Sequence, residues 1–395
     1  MDCGDPLGVL EQLMASLEPG EALSALTEVA PRSHGPAQGR PRVGVGVSVF
    51  NEHSGPGSSV YRARGVTEVP GYDAARLVFE EGGTFSAYIS SADAGQRHAA
   101  VCRVQVAKAL SVDPSLVNVV EGDTASCPVG TGTFASRFAV KQVGAAVVAA
   151  GRMAVRLRRA AATQLNCSPE DVQQTEGGYE QRGGGAQVSF SALSEWLYRP
   201  PGGTGRLKRV RETETPVEEF GFSDGDSALP CGALLTVVEI DAETFIPKVR
   251  TIKVVEECGR VLDRSAVIGQ LEGGAIMGLG DALLGEHHYD ESGEIFTSSL
   301  MDYLLPMVGD ASPVEVAIIE DETLYTERSE TGSKGVGEAG TIGAVASIGC
   351  AVSDALRQLG GTLNELPATP LRVFRACQSA DSFQTATDAR PSATP

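Results

Sequence analysis

The apolar positions of this chain switch between two periods, and the switches mark its elements. Leu7, Leu10, Leu13 and Leu17, then Leu23 and Leu26, recur at helical spacing over residues 5–29. Pro19-Gly20 divides that stretch into two short helices. Residues 43–50 (VGVGVSVF) alternate as a strand of small residues, and two weaker strand signals precede Gly83. Residues 85–89 read as a strand, 99–110 as an amphipathic helix and 117–120 as another strand. Beyond the loop EGDTASCPVGTGTFASR, residues 140–165 predict a long Ala/Val-rich helix with Arg152, Arg156, Arg158 and Arg159 on its outer side. Residues 234–240 and 249–256 predict a hairpin, 269–284 a glycine-rich helix, and 314–320 a strand. Residues 344–359 predict a helix stopped by Gly360-Gly361, and 371–374 a last strand. Such alternation implies an α/β or α+β sandwich with loops gathered at strand ends.

At 395 residues the chain exceeds what one core usually serves. The expected organisation is N-terminal helices and a linker over 1–42, two mixed α/β subdomains over 43–205 and 206–376, and a disordered polar tail over 377–395. Charge narrows the function classes. Thirty-two basic against 51 acidic side chains give a net −19, which argues against nucleic-acid binding, since that depends on neutralising phosphates. The eight cysteines form no CxxC pair, and His287-His288 belongs to no zinc-binding pattern, so no metal ligand set is expected. Scattered thiols and a first segment, MDCGDPLG, without an apolar run lead us to expect a cytoplasmic protein that binds no membrane.

The chemistry concentrates in residues 331–348, TGSKGVGEAGTIGAVASI. There Glu338 is the one carboxylate among Gly335, Gly337, Gly340 and Gly343. Glycine serves where another backbone or a ligand must come close. GVGEAG fits the GxGxxG pattern of dinucleotide folds, but a polar, charged stretch precedes it and no carboxylate follows about 20 positions on. Walker A also fails, because no GK[ST] closes a glycine-rich loop. Four glycine-bearing loops remain, at 94–98, 130–137, 269–280 and 332–340. A plain turn explains any one of them; together they offer backbone N–H groups to a large, oxygen-rich anionic cofactor.

GSKGVGEAGTIGA at 332–344 resembles the signature of the molybdenum hydroxylases, the family of xanthine dehydrogenase, aldehyde oxidase and carbon monoxide dehydrogenase large subunits. Glu121-Gly-Asp-Thr with GTGTFASR, the 238–263 hairpin region with GQLEGGAIMGLGDALLGE, and YDESGEIFTSSLMDYLLP are similar to further family segments, and together with the signature they imply an α+β fold. The resemblance runs over residues 1–376 and corresponds to the C-terminal half of the family's subunit. It implies a molybdopterin-cofactor-binding domain, holding molybdopterin with molybdenum, often as the cytosine dinucleotide. Glu338 falls on the family's catalytic base, which acts on a molybdenum-bound hydroxyl whose oxygen attacks an electrophilic carbon. Lys334, Gly335, Val336 and Gly337 fall on the pterin-contacting segment; Gln96, Ala135, Ser136, Arg137 and Gln270 fall on further cofactor contacts.

The implied activity is oxidation or hydroxylation of a purine, N-heterocycle or aldehyde using water. The implied partners are a chain supplying the N-terminal half, an iron–sulfur subunit and an FAD subunit, besides the small-molecule substrate. A non-catalytic structural subunit or truncated relic binding no cofactor is the alternative. The family's GQG loop reads Gly95-Gln96-Arg97-His98 here, which puts an arginine where a close-approach glycine stands.

Overall fold

The computed structural model describes residues 4–17, 41–68, 71–198, 217–222 and 225–378. The second N-terminal helix, the Gly/Pro-rich border near 200–205 and the tail beyond 378 lie outside the described residues.

The first sheet has the order β4-β3-β2-β8, from Val117–Val120 (β4), Phe85–Ile89 (β3), Asp73–Phe79 (β2) and Val217–Phe222 (β8). β3 runs parallel to β4 and antiparallel to β2. Two helices cover it, α3 (His98–Leu110) and α4 (Val143–Leu165). Val140, Ala146, Ala149, Met153 and Leu157 are buried, and Arg152, Arg158 and Arg159 face solvent as their spacing predicts. A small meander of β5 (Val172–Thr175), β6 (Gly178–Gln181) and β7 (Gln187–Ser189), followed by α5 (Phe190–Tyr198), closes this core around Phe79, Phe85 and Phe190.

The second sheet has the order β1-β9-β10-β11, from Arg42–Asn51 (β1), Cys231–Ile240 (β9), Pro247–Glu257 (β10) and Val314–Ile319 (β11). β9 and β10 form the expected hairpin, and β11 joins β10 in parallel. One face carries α1 (Pro6–Ala15) through Val9 and Leu13; the other carries α6 (Arg264–Leu283) and α7 (Ala339–Arg357).

The pairings redraw the expected border between subdomains. β1 lies before the first core in sequence yet pairs with β9, and β8 lies after it yet pairs with β2. The first sheet is therefore an insertion between two strands of the second. Other expectations shift locally. Residues before Gly83 give one strand and a short helix, α2 (Ser58–Ala63), rather than two strands. Residues 371–374 lie in a helix over 370–378, with Val373 buried against the second core, and not in a strand. Helix α7 begins at Ala339, so Glu338 is its N-cap residue instead of lying in a loop ahead of it.

The small residues of β1 have a packing cause. A Cβ on Gly44 would stand 2.1 Å from the Ala351 carbonyl oxygen, and one on Gly46 would stand 1.9 Å from that of Ser347. Helix α7 thus rests directly on strand backbone, and Asp354 accepts from the Val45 amide at 3.1 Å. The glycines of α6 act likewise: a Cβ on Gly340 of α7 would meet the Leu271 carbonyl oxygen at 2.5 Å, and one on Gly278 would meet Ala344 at 2.8 Å. Two helices, Phe138–Leu165 and Ala339–Arg357, have the length and apolarity of a membrane span, but 56% of each apolar window is buried in these cores. Gly46→Ala is expected to push α7 off β1 and to cost about 3 kcal/mol of stability, as overpacked core positions do. Urea unfolding of the two proteins measures it.

Candidate functional site

The loops that follow the strands are tied to strand ends before they are tied to one another. Thr131 donates to the Tyr72 carbonyl at 2.8 Å and accepts from the Tyr72 amide at 2.6 Å. Thr133 does the same for Ala92, at 2.6 and 3.1 Å. Gln142 accepts from the Ser90 and Ser91 amides, each at 3.1 Å, and donates to the Ala74 carbonyl at 2.8 Å. These bonds hold the 130–137 loop over β2 and β3. Ala135 and Ser136 then turn through φ values of 50° and 48°, left-handed backbone that favours glycine.

The 94–98 loop is built on Asp93, whose carboxylate accepts from the amides of Gly95, Gln96 and His98 at 2.8, 2.6 and 3.2 Å. Arg97 also has a left-handed φ, of 66°, so glycine would suit the backbone there. Its guanidinium reaches across to Asp263, the N-cap residue of α6, at 3.1 Å. The arginine therefore links the 94–98 loop to the start of α6.

Three of the expected loops, 94–98, 130–137 and 332–340, meet around one cavity of about 220 Å³, while 269–280 is no loop but part of helix α6 and adds Gln270 to the wall. Its lining includes every residue the sequence singles out: Gln96, Ala135, Ser136, Arg137, Gln270, Lys334, Gly335, Val336, Gly337 and Glu338. Their parts differ. The Arg137 guanidinium is fully buried, bonds both oxygens of Asp73 and donates to the Pro56 carbonyl at 3.3 Å. The Lys334 ammonium is equally buried, 2.7 Å from Glu257 Oε2. Both cations hold the loops from beneath, so it is the backbone they carry that borders the cavity. A Cβ on Gly335 would stand 1.9 Å from the Ser136 carbonyl oxygen, and the Gly335 amide donates to Ser54 at 3.1 Å.

The side chains that remain for a ligand are amides. Gln96 uses its oxygen on the Ala94 amide at 2.6 Å, which leaves its NH₂ as a donor. Gln270 on α6 makes no hydrogen bond among the described residues. His98 closes the wall, stacked on Phe138 with ring centres 3.7 Å apart; burial pushes its imidazole down to about 4, so it is neutral near pH 7. Glu338 stands exposed at the rim, so this chain by itself does not supply the dry enclosure that raises the proton affinity of a general base. This donor set fits an organic group rich in hydrogen-bond acceptors. Among the described residues no three His, Cys, Asp or Glu are arranged to hold a bare metal ion.

Sequence reasoning missed what lies under the rim. Glu52, the residue just after β1, is buried beside Ser136 and the amides of Glu338 and Ala339, without a hydrogen bond of normal geometry. Burial pushes its carboxyl up to about 7, and the nearby Glu338 charge adds to the rise. Glu256 on β10, wholly buried, is raised well above the ordinary carboxylate range by burial and then by the charges of Glu52 and Glu257. Its place on the same face as Ile252 and Val254 was the available signal.

Lys334→Met would leave Glu257 buried without its cation, and such a loss costs about 3–5 kcal/mol. Thermal or urea unfolding should show that loss, and Glu257→Gln added to the same protein should recover a large part of it.

A family model for the molybdopterin cofactor-binding domain matches residues 22–312. The large subunit of nicotine 6-hydroxylase from Paenarthrobacter nicotinovorans is 32% identical over 350 residues, which is 87% of this chain and 41% of that subunit. Quinoline 2-oxidoreductase from Pseudomonas putida 86 superposes with a TM-score of 0.79 at 29% identity, over 95% of this chain and 46% of that one. Carbon monoxide dehydrogenase from Oligotropha carboxidovorans has the same fold, with a TM-score of 0.80 at 23% identity, over 97% of this chain and 46% of that one. The chain thus spans less than half the length of these relatives, and the family-model match ends before the Glu338 loop. Fold, loop signatures and the matched span agree: this chain belongs to the molybdopterin cofactor-binding domain family and corresponds to part of the large subunits of these relatives.

Proposed function

We propose that this chain forms the pterin-holding half of a molybdenum-dependent oxidoreductase, completed by polypeptide corresponding to the rest of the relatives' large subunit. The observation that carries this is the convergence of three separate loops and helix α6 on one cavity lined by amide donors, with the carboxylate of Glu338 exposed at its rim. When bound, the molybdenum cofactor supplies the redox centre that takes up two electrons from the substrate carbon. The chain's own residues do the rest. Backbone of 133–138 and 333–338, with Gln96 and Gln270, binds and orients the pterin, as molybdopterin or its cytosine dinucleotide. Arg137 and Lys334 keep those loops in place through their buried pairs.

Glu338 is the general base that removes a proton from the water-derived nucleophile. Its place at the N-cap of α7 gives it one fixed approach to the cavity. The substrate class is an N-heterocycle, a purine or an aldehyde, whose ring or carbonyl carbon accepts an oxygen nucleophile. The relatives named for nicotine and quinoline favour the N-heterocycle. Electrons leave through an iron–sulfur subunit and an FAD subunit, and we place the assembly in the cytoplasm.

Metal and pterin analysis of the purified complex separates this reading from a structural subunit that binds no cofactor. Stoichiometric molybdenum and pterin support it; their absence from a complex holding every partner sinks it. Glu338→Gln is expected to keep the cofactor content and lower turnover by about 10²–10⁴-fold, the range typical of a lost general base. Full turnover by that variant would show that the base lies elsewhere.

A further inference from the structure

Beneath the rim of the cavity lies a pair of acids that the proposed reaction does not use. Glu52 follows the last residue of β1, and Glu256 stands near the end of β10. In the sheet, Phe50 and Glu256 flank Gly232 on β9. A Cβ on Gly232 would sit 2.2 Å from Glu256 Oε2 and 2.5 Å from the Phe50 ring, so the acid lies flat across the bare strand. All four carboxyl oxygens of the pair are buried, and none has a hydrogen bond of normal geometry.

The charged and titratable groups facing them are few. Lys334 is the cation, and its ammonium is committed to Glu257. Glu257 itself also accepts from the Gly259 amide at 2.7 Å. From α7 come Glu338 and the amides of Glu338 and Ala339, and from the 130–137 loop the Ser136 hydroxyl. His53, the next residue along, is turned to Ser227 at 3.0 Å. Two carboxyls that share a dry site cannot both ionise readily. Burial raises both carboxyls, and the Glu338 charge adds to the rise at Glu52, so Glu52 is the member of the pair tied to the rim.

We propose that Glu52 is a positioning residue for Glu338: buried beside the Ser136 hydroxyl and the Glu338 and Ala339 amides at the start of α7, it sets by its own protonation whether a second negative charge stands under the base. Neutral Glu52 leaves Glu338 as the only negative charge at that helix end. Ionised Glu52 draws on the Glu338 and Ala339 amides and repels the Glu338 carboxylate. The inference rests on the role given to Glu338 above, but the coupling between the two acids exists with or without a cofactor.

The test therefore begins with infrared titration of carboxyl stretches in the full chain. In the wild type one buried carboxyl should lose its proton with a midpoint near pH 7, while a second stays protonated throughout. Glu52→Gln should abolish the first transition and leave the second. Glu338→Gln should lower the midpoint of the first, because the charge that raises it is gone. An unshifted midpoint in Glu338→Gln, or no carboxyl titrating near neutral pH, would overturn the proposal.

Thermal stability supplies a second measurement. A carboxyl raised in the folded state costs stability as pH rises from its unfolded value through its folded one. The wild-type melting temperature should therefore fall between about pH 4.5 and pH 7 relative to that of Glu52→Gln, and equal melting curves across that window would also overturn the proposal. In the complete complex the pH profile of kcat/KM should show a step with the infrared midpoint, lost in Glu52→Gln at unchanged molybdenum and pterin content. A step that persists in that variant counts against the proposal. A complex without molybdenum refutes the oxidoreductase reading and leaves the infrared result to decide the coupling.

Discussion

The contact on which the site depends is one of backbone against backbone, Gly335 pressed onto the Ser136 carbonyl. It joins a loop rooted in the first sheet to the loop that opens α7, on the face of the second. No side chain fits between them. The approach is close enough to bring the amides of both loops to one cavity, and it fixes their separation independently of any ligand. Ser54 adds a third strand end to the junction through the Gly335 amide.

Holding polar loops so near each other requires support from below, and the support is charged. Arg137 with Asp73 and Lys334 with Glu257 are each fully buried, one pair under each loop. Such pairs add little net stability compared with an apolar packing, because desolvation offsets most of the attraction. What they supply is direction. A guanidinium that bonds both oxygens of one carboxylate and the Pro56 carbonyl allows one placement of its backbone, whereas an apolar anchor would allow several. The carboxylate at the rim has no such partner and stands in solvent.

The sequence was most informative where a local rule and the tertiary packing agree. Strands Phe85–Ile89 and Val117–Val120 fell at their expected bounds, since alternation there coincides with burial on one face. Residues 371–374 failed because a short apolar run does not reveal its period, and Val373 is buried from a helix as readily as from a strand. The glycines of the GVGEAG loop were legible as a close approach, but the partner they approach, a serine carbonyl some 200 residues earlier, was not. Motif resemblance found the cavity-lining set, yet it could not distinguish Gln96 and Gln270, whose side chains line the cavity, from Arg137 and Lys334, whose charged groups are buried in ion pairs. Glu52 left no motif at all. Its character comes from what buries it, and that is a property of the fold alone.

The insertion of one sheet within another has a consequence for how the chain assembles. Strand β1 and its neighbour β9 lie on opposite sides of the whole first core in sequence, so the pairing of Asn51 with Cys231 closes a very long loop. Closures of this kind cost chain entropy and are slow, and until β9 pairs with it β1 offers an edge of glycine-rich backbone to other strands. The cavity takes one wall from each core, so its geometry depends on that closure being made.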